Sequence, residues 1–313
     1  MARFVTISLL GPAPMYGVKL FGQDAVNCMI DYWNEQISPV LADKPDLIIL
    51  PEACDRFPQH SMKERKEYYK FRSNKVRDFL SGIARQNNCY IAYSAAREMG
   101  DGTYRNSTQL LDRGGNITGI YNKNHLVVDE TTEGGILCGK DAPIFKTDFG
   151  TVACAICFDL NFHELINKYA AQRPDLIIFS SLYHGGLMQN YMAYHCRAHF
   201  AGSIAGQECT IINPVGEKIA RSTNYFCRVT ATVNLDCKIV HLDCNWTKLQ
   251  AAKYKYGKGV KIFDPGHLGA ILLSSETEST TVDDIIKEFQ IETWDEYYEH
   301  SMKHRHAPGN MEI

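Results

Sequence analysis

The chain lacks a strong charge of either sign. Its 313 residues carry 33 Lys and Arg against 36 Asp and Glu, a formal net charge of −3, and the isoelectric point is about 6.4. Such a balance gives no electrostatic reason to expect nucleic acid or an anionic membrane as a partner; a small-molecule site fits better. No window approaches the eighteen or more apolar residues that a membrane span needs. The opening MARFVTISLLGPAPMYG has one basic residue and a short apolar run ending at Gly11-Pro12, without the longer core and small-residue cleavage site of a secretory signal. It reads as a first strand, in a soluble, cytoplasmic protein. No linker composition interrupts the chain either, so the length allows one or two domains.

Cysteine, by contrast, is plentiful, with eleven residues, and the hydrophobic fraction is 45%. Without an export signal these are expected to be reduced thiols, most of them core residues. Cys154-Ala155-Ile156-Cys157 is a C-x-x-C, but residues three apart on a strand point to opposite faces. No second C-x-x-C or nearby His pair completes a zinc set.

Periodicity then orders the chain. Val26, Met29, Ile30, Trp33, Ile37 and Val40 recur at three- and four-residue steps and predict a helix over 24–41, stopped by Lys44-Pro45-Asp46. The continuous apolar run Leu47 to Leu50 is a strand covered on both faces, and Pro51, lacking an N–H, ends it. A helix over 74–86 leads into strands at 89–95, 104–111 and 117–121, whose turns contain Asp101-Gly102 and Gly114-Gly115, an antiparallel meander. Next come a strand over 151–156, a helix over 163–172 and a strand over 176–179. The junction Arg173-Pro174-Asp175-Leu176-Ile177-Ile178 echoes Lys44-Pro45-Asp46-Leu47-Ile48-Ile49, which suggests a pseudo-symmetric pair of α/β layers. Strands at 210–213 and 226–235 and a helix at 282–289 follow, and the tail from Glu299 is expected to be loose. Lysines 248, 253, 255, 258 and 261, flanked by Asp243 and Asp264, read as a solvated face. Mixed strands and helices of this kind belong to the α/β class, with two packed sheets and helices outside.

Three of the predicted strands end on a reactive side chain: Glu52, Lys123 and Cys157. A free thiol is only a few per cent thiolate near neutral pH, so a nucleophilic Cys needs a positioned base or a lowered pKa. Glu52, desolvated at a strand's edge, supplies a base. Cys157 precedes Phe158-Asp159-Leu160-Asn161, where the strand turns towards a helix, and there the neighbouring Phe158 N–H can point at a developing oxyanion.

Pro51-Glu52 after an apolar strand, the segment Tyr121 to Leu126, and Cys157-Phe158-Asp159 together resemble the nitrilase superfamily of carbon–nitrogen hydrolases. The resemblance covers roughly the first 240 residues in strand and helix order. It implies a four-layer α-β-β-α sandwich of two mixed sheets, dimerised or further oligomerised through helices. The division it suggests is a hydrolase domain over 1–280 and a C-terminal helix and tail over 281–313, whose Trp294, Tyr297 and Tyr298 form a subunit-contact arm or pack on their own subunit.

The same resemblance implies a Cys157 nucleophile, a Glu52 base and a Lys123 oxyanion stabiliser, with no metal or organic cofactor. A second supporting glutamate is either Glu130 or Glu133, with Glu133 slightly favoured. Tyr183 and His184, in a loop after a strand, and Arg197, in a segment that resembles an Arg-Ala-x-Glu motif but carries His199 in place of the acid, are substrate-binding candidates. Phe158-Asp159 after the cysteine resembles the amidase and carbamoyl-hydrolase branches, which implies a small amide or N-carbamoyl substrate. Nitrile hydrolysis, acyl transfer to an amine, and a catalytically silent binding member are the rival readings.

Overall fold

Burial in the computed structural model, which describes residues 1–312, follows the predicted periodicities. Helix α1 (Gly22–Leu41) buries Val26, Met29, Trp33, Ile37 and Val40 on one face. Past its end the chain turns through Lys44, at a φ of 48°, into strand β2 (Leu47–Ile49), which has every residue buried. Two units emerge, Val5–Val233 and the first four residues together with those from Asn234 onward.

The larger unit holds two six-stranded sheets. The first contains β1 (Phe4–Leu10), β2, β3 (Tyr90–Glu98), β4 (Tyr104–Leu111), β5 (Ile117–Asn122) and β12 (Arg228–Asn234), in the order β12-β1-β2-β3-β4-β5. Strands β1, β2 and β3 run parallel, and β3-β4-β5 is the predicted antiparallel meander. The second is built from β6 (Phe145–Lys146), β7 (Thr151–Ile156), β8 (Leu176–Ser181), β9 (His199–Ile204), β10 (Thr210–Ile212) and β11 (Lys218–Arg221), ordered β11-β10-β9-β8-β7-β6. Its β7, β8 and β9 are parallel.

Helices cover the outer faces. On the first sheet, α1 and α3 (Lys75–Asn87) join α2 (Met62–Arg72) around one apolar core that includes Trp33, Phe57, Leu80 and Tyr93. On the second sheet, α5 (His163–Gln172) and α6 (Leu187–Cys196) bury Leu165, Ile166, Tyr169, Met192 and Cys196, with α4 (Val128–Thr132) a single short turn between the sheets' sequences. The inner faces meet through hydroxyl groups as well as apolar atoms: Ser180 Oγ donates to Leu50 O at 2.8 Å and Ser203 Oγ to Leu10 O at 2.6 Å. These buried bonds satisfy carbonyls at strand ends that no ladder reaches.

The echoed junctions do the same work in both sheets. Asp46 Oδ2 accepts from Thr6 N at 2.9 Å, and Asp175 Oδ2 from Thr151 N at 2.8 Å. In each case the aspartate's backbone then feeds the neighbouring parallel strand, Tyr90 N to Asp46 O and His199 N to Asp175 O. The repeat is therefore structural, a carboxylate that fixes how a helix hands over to a central parallel strand.

The smaller unit has a three-stranded antiparallel sheet, β13 (Cys237–His241), β15 (Ala270–Ser275) and β14 (Val260–Phe263), in that order, with α7 (Trp246–Tyr256) and α8 (Val282–Phe289) packed on it. The boundary expected after residue 280 falls inside this unit, because Val282, Ile285 and Ile291 share one core with Val240, Leu249 and Leu273. The tail is not loose from Glu299: it continues as helix α9 (Trp294–Arg305), capped by Thr293 and Glu296 in a reciprocal capping box. Trp294 and Tyr297 stack on His241, with ring centroids 4.8 and 3.7 Å away. No helix among the described residues is long and apolar enough to cross a membrane.

Candidate functional site

Glu52 stands two residues beyond the Leu50 carbonyl that Ser180 holds, where Pro51 has ended the β2 ladder. The carboxylate is only 4% exposed. Lys123 directly follows β5; its N–H donates to Asn106 O on β4 at 2.8 Å, which turns the side chain inwards until it is 1% exposed. Cys157 closes β7 and opens a 3-10 turn, Cys157–Asn161, at a φ of 50°. That left-handed conformation is disfavoured for a residue with a Cβ, and it swings the side chain out of the strand's alternation.

All three predicted groups line one cavity of about 420 Å³. Lys123 Nζ donates to Glu52 Oε1 at 2.9 Å and to Glu130 Oε2 at 2.7 Å. Asn106 Nδ2 donates to Glu52 Oε1 at 2.8 Å and to Glu130 Oε1 at 2.9 Å, which closes a ring of two acids and two donors. The second Glu52 oxygen accepts from Leu182 N at 3.2 Å, a contribution from the end of β8. The Cys157 thiol lies within hydrogen-bonding reach of Glu52 and Ser181.

Electrostatics follow from this enclosure. Burial, reinforced by the Glu52 charge and only partly opposed by Lys123, pushes the Cys157 thiol up to about 12. Burial by itself would lower the Lys123 ammonium, but Glu52 and Glu130, with Cys157 adding, raise it above its ordinary range. The resting site therefore holds a neutral thiol beside a fixed positive charge. Among the described residues no group of three or more His, Cys, Asp or Glu side chains is arranged to hold a metal ion.

Of the two glutamates left open, Glu130 makes the Lys123 ion pair. It also accepts from Val127 N at 2.9 Å and so caps α4. Glu133, the one favoured by spacing, is exposed at the cavity's edge. One helical turn separates them, and spacing in a loop cannot say which face of that turn looks inwards. The Phe158 amide sits in the first turn after the nucleophile, with the Phe158 ring edge-on to Phe162.

Tyr183, His184 and Arg197 are not among the residues lining the cavity. Tyr183 OH reaches Asn161 at 3.3 Å, His184 Nδ1 accepts from Gly186 N at 3.1 Å, and the Arg197 guanidinium donates to Tyr194 O while lying over the Tyr194 ring. Only Leu182 of that loop enters the wall.

Sequence reasoning missed Asn106 and Asp159. The signal for Asn106 is the polar stretch Arg105 to Gln109 inside a predicted strand; residues 106–109 are buried, as polar groups are when they serve one another. Asp159, fully buried, accepts from Tyr121 OH at 2.6 Å, Ile156 N at 3.0 Å and His125 N at 2.8 Å, and pairs with His125 Nδ1 at 2.9 Å. It ties the lysine segment to the turn that carries the thiol. Arg56, Arg65 and Lys66 also border the cavity and were likewise missed, because α2 carries a weak apolar stripe and escaped prediction.

Comparison with known proteins places these residues in context. The family described as "Carbon-nitrogen hydrolase" matches residues 28–226. A Schizosaccharomyces pombe protein named as a probable nitrilase is 30% identical over 104 residues, 33% of this chain and only 38% of its own length. An omega-amidase of Xenopus tropicalis is 23% identical over 215 residues, 61% of this chain and 76% of its own. The crystal structure of an amidase from Nesterenkonia sp. superimposes with a TM-score of 0.59 over 74% of this chain and 90% of that one at 16% identity, a likeness of fold.

Proposed function

The chain belongs to the carbon–nitrogen hydrolase family, and from that premise we propose that it is an amidase-like enzyme that cleaves a small amide or N-carbamoyl compound through a thioester on Cys157. The observation that carries this reading is the convergence of Cys157, Glu52 and Lys123 in one cavity, with the thiol held neutral at neutral pH. A neutral thiol becomes a nucleophile only if a base removes its proton as it attacks, and Glu52 is in reach of it.

In the proposed cycle Cys157 Sγ attacks the carbonyl carbon while its proton passes to Glu52. The oxygen of the tetrahedral adduct takes up negative charge beside the Lys123 ammonium and the Phe158 N–H, donors already in position. Glu52 delivers the proton to the departing nitrogen, the C–N bond breaks, and ammonia or an amine leaves. Water, deprotonated by Glu52, then attacks the thioester; the acid departs and the thiol regains its proton. Glu130 and Asn106 keep Lys123 and Glu52 in place through the ring described above. The amidase names of the relatives support amide over nitrile as the bond cleaved.

The test is ammonia release from a panel of amides, ureas and nitriles, combined with the mass of the adduct trapped on Cys157. We expect turnover of amides or carbamoyl compounds, an acyl adduct at Cys157, and loss of both in a folded Cys157→Ala variant, by at least a thousandfold as for removal of a nucleophile. A well-folded protein inert across the panel would sink the proposal in favour of a binding module. Hydroxamate formation outpacing hydrolysis when hydroxylamine is added would redirect it to acyl transfer.

A further inference from the structure

One part of the cavity wall is not used by the chemistry above. Helix α2 and the loop before it bring Arg56, Arg65 and Lys66 to the same cavity as Cys157. The acids near them are committed elsewhere: Asp55 pairs with buried Arg72, Glu64 with Lys19 at 2.8 Å, and Glu52 and Glu130 with Lys123. Among the described residues, Arg56, Arg65 and Lys66 have no carboxylate within ion-pair distance.

Arg65 is the most telling. One terminal nitrogen donates to Pro58 O at 3.2 Å, while its Nε is buried with no partner. Burial, and next the like charge of Arg56, pull its guanidinium below the ordinary range. Two cations held near one another, with a donor unmet, raise the free energy of the empty cavity, and an anion placed between them removes that cost. Asp129 and Glu133 also border the cavity, but both are exposed, where solvent and salt screen them. Between the arginines and the thiol, the wall includes Met62, Tyr69, Tyr104 and Ile136, which suit a short hydrocarbon spacer.

We propose that Arg56 and Arg65 form a carboxylate subsite, so that the substrate is an amide or carbamoyl compound carrying an acid group away from the bond that is cut. This rests on the hydrolase reading of Cys157. A guanidinium presents its N–H groups in a planar fork that matches a carboxylate edge to edge, and the cavity's volume lies in the usual range for a small ligand.

The test compares kcat/KM for succinamate and glutaramate with that for the neutral butyramide and valeramide, in the wild type, Arg56→Met, Arg65→Met and Arg65→Lys. Thermal shifts with glutarate and with inorganic phosphate supply a readout that needs no turnover. We expect an acid-over-neutral ratio of roughly ten- to hundredfold in the wild type, collapsing towards one in both Met variants and partly kept in Arg65→Lys. Glutarate is expected to raise the melting temperature of the wild type and to do so less in Arg56→Met, whose half-exposed side chain makes a folding failure the smaller risk. Turnover of neutral amides with no preference for the acidic ones and no glutarate shift would overturn the subsite alone. A glutarate shift lost in Arg56→Met, with no amide cleaved at all, would keep the subsite and overturn the hydrolase reading. Stabilisation by phosphate but not glutarate would also overturn the carboxylate assignment.

Discussion

At the scale of the residue, the thiol's environment sets both reactivity and stability. Burial raises Cys157, Cys154 and Cys196 each to about 12 from an ordinary 9.0. The folded chain thus keeps protons that the unfolded chain releases above about pH 9, so these groups favour the fold at lower pH and their contribution is lost as pH rises from about 9 to about 12. Urea midpoints measured at pH 8 and pH 10 are expected to fall accordingly. Because the Glu52 charge is part of what holds the Cys157 thiol up, Glu52→Gln should move the pH midpoint of iodoacetamide alkylation at Cys157 downwards. The same substitution is expected to cut turnover by roughly a hundred- to ten-thousandfold. A thiol that ionises more readily while the enzyme works less well separates a proton-transfer role from a purely electrostatic one; unchanged turnover would rule out Glu52 as the base. The backbone at Cys157 adds a second clue. A φ of 50° suits glycine better than any residue with a Cβ, so the sulfur is not there for the sake of the turn.

At the scale of the element, the site depends on how strand ends are tied together. The sequence gives the strands ending at Glu52, Lys123 and Cys157 away through their apolar runs and through Pro51 and Asn124. It does not reveal what holds the ends in register, since Asp159, Tyr121 and His125 look unremarkable one at a time. The four-donor environment of Asp159 is a tertiary fact, formed when β5 and β7 come close. In Asp159→Asn one acceptor oxygen becomes a donor facing other donors, at a cost of about 1–3 kcal/mol for each group left unmet. Alkylation at Cys157 and turnover are expected to fall together, with a lower denaturation midpoint; a stable variant with normal kinetics would show that Asp159 does not position the turn. The choice between Glu130 and Glu133 was illegible for a similar reason. Helix α4 has five residues and no buried stripe, so no periodicity identifies its inner face. Helices α2 and α9 escaped because their apolar faces are weak and their caps, Ser61 with Glu64 and Thr293 with Glu296, lie outside any hydrophobic run.

At the scale of the whole molecule, fold class was legible because central parallel strands read as unbroken apolar runs, whereas strand order was not. That β12 joins the edge beside β1, more than 200 residues earlier, leaves no local trace in the sequence. The smaller three-stranded sheet was missed because β13 and β14 are short and alternate with charged residues. The packing of the two large sheets reaches the site directly, since Ser180 on β8 binds Leu50 O just before Glu52, and Leu182 N binds Glu52 itself. Ser180→Ala withdraws the donor from a buried carbonyl and should cost about 1–3 kcal/mol. For each kcal/mol the melting temperature of a unit this size drops by about 2–4 °C. Activity is expected to decline with it as Glu52 loses its support, and a variant that melts lower yet turns over normally would disconnect sheet packing from the base. Glu52 and Lys123 come from one sheet and Cys157 from the other. A polypeptide severed between Lys123 and Cys157 would therefore yield two fragments, neither holding a full set of reacting groups, and catalysis would reappear only on their reassembly.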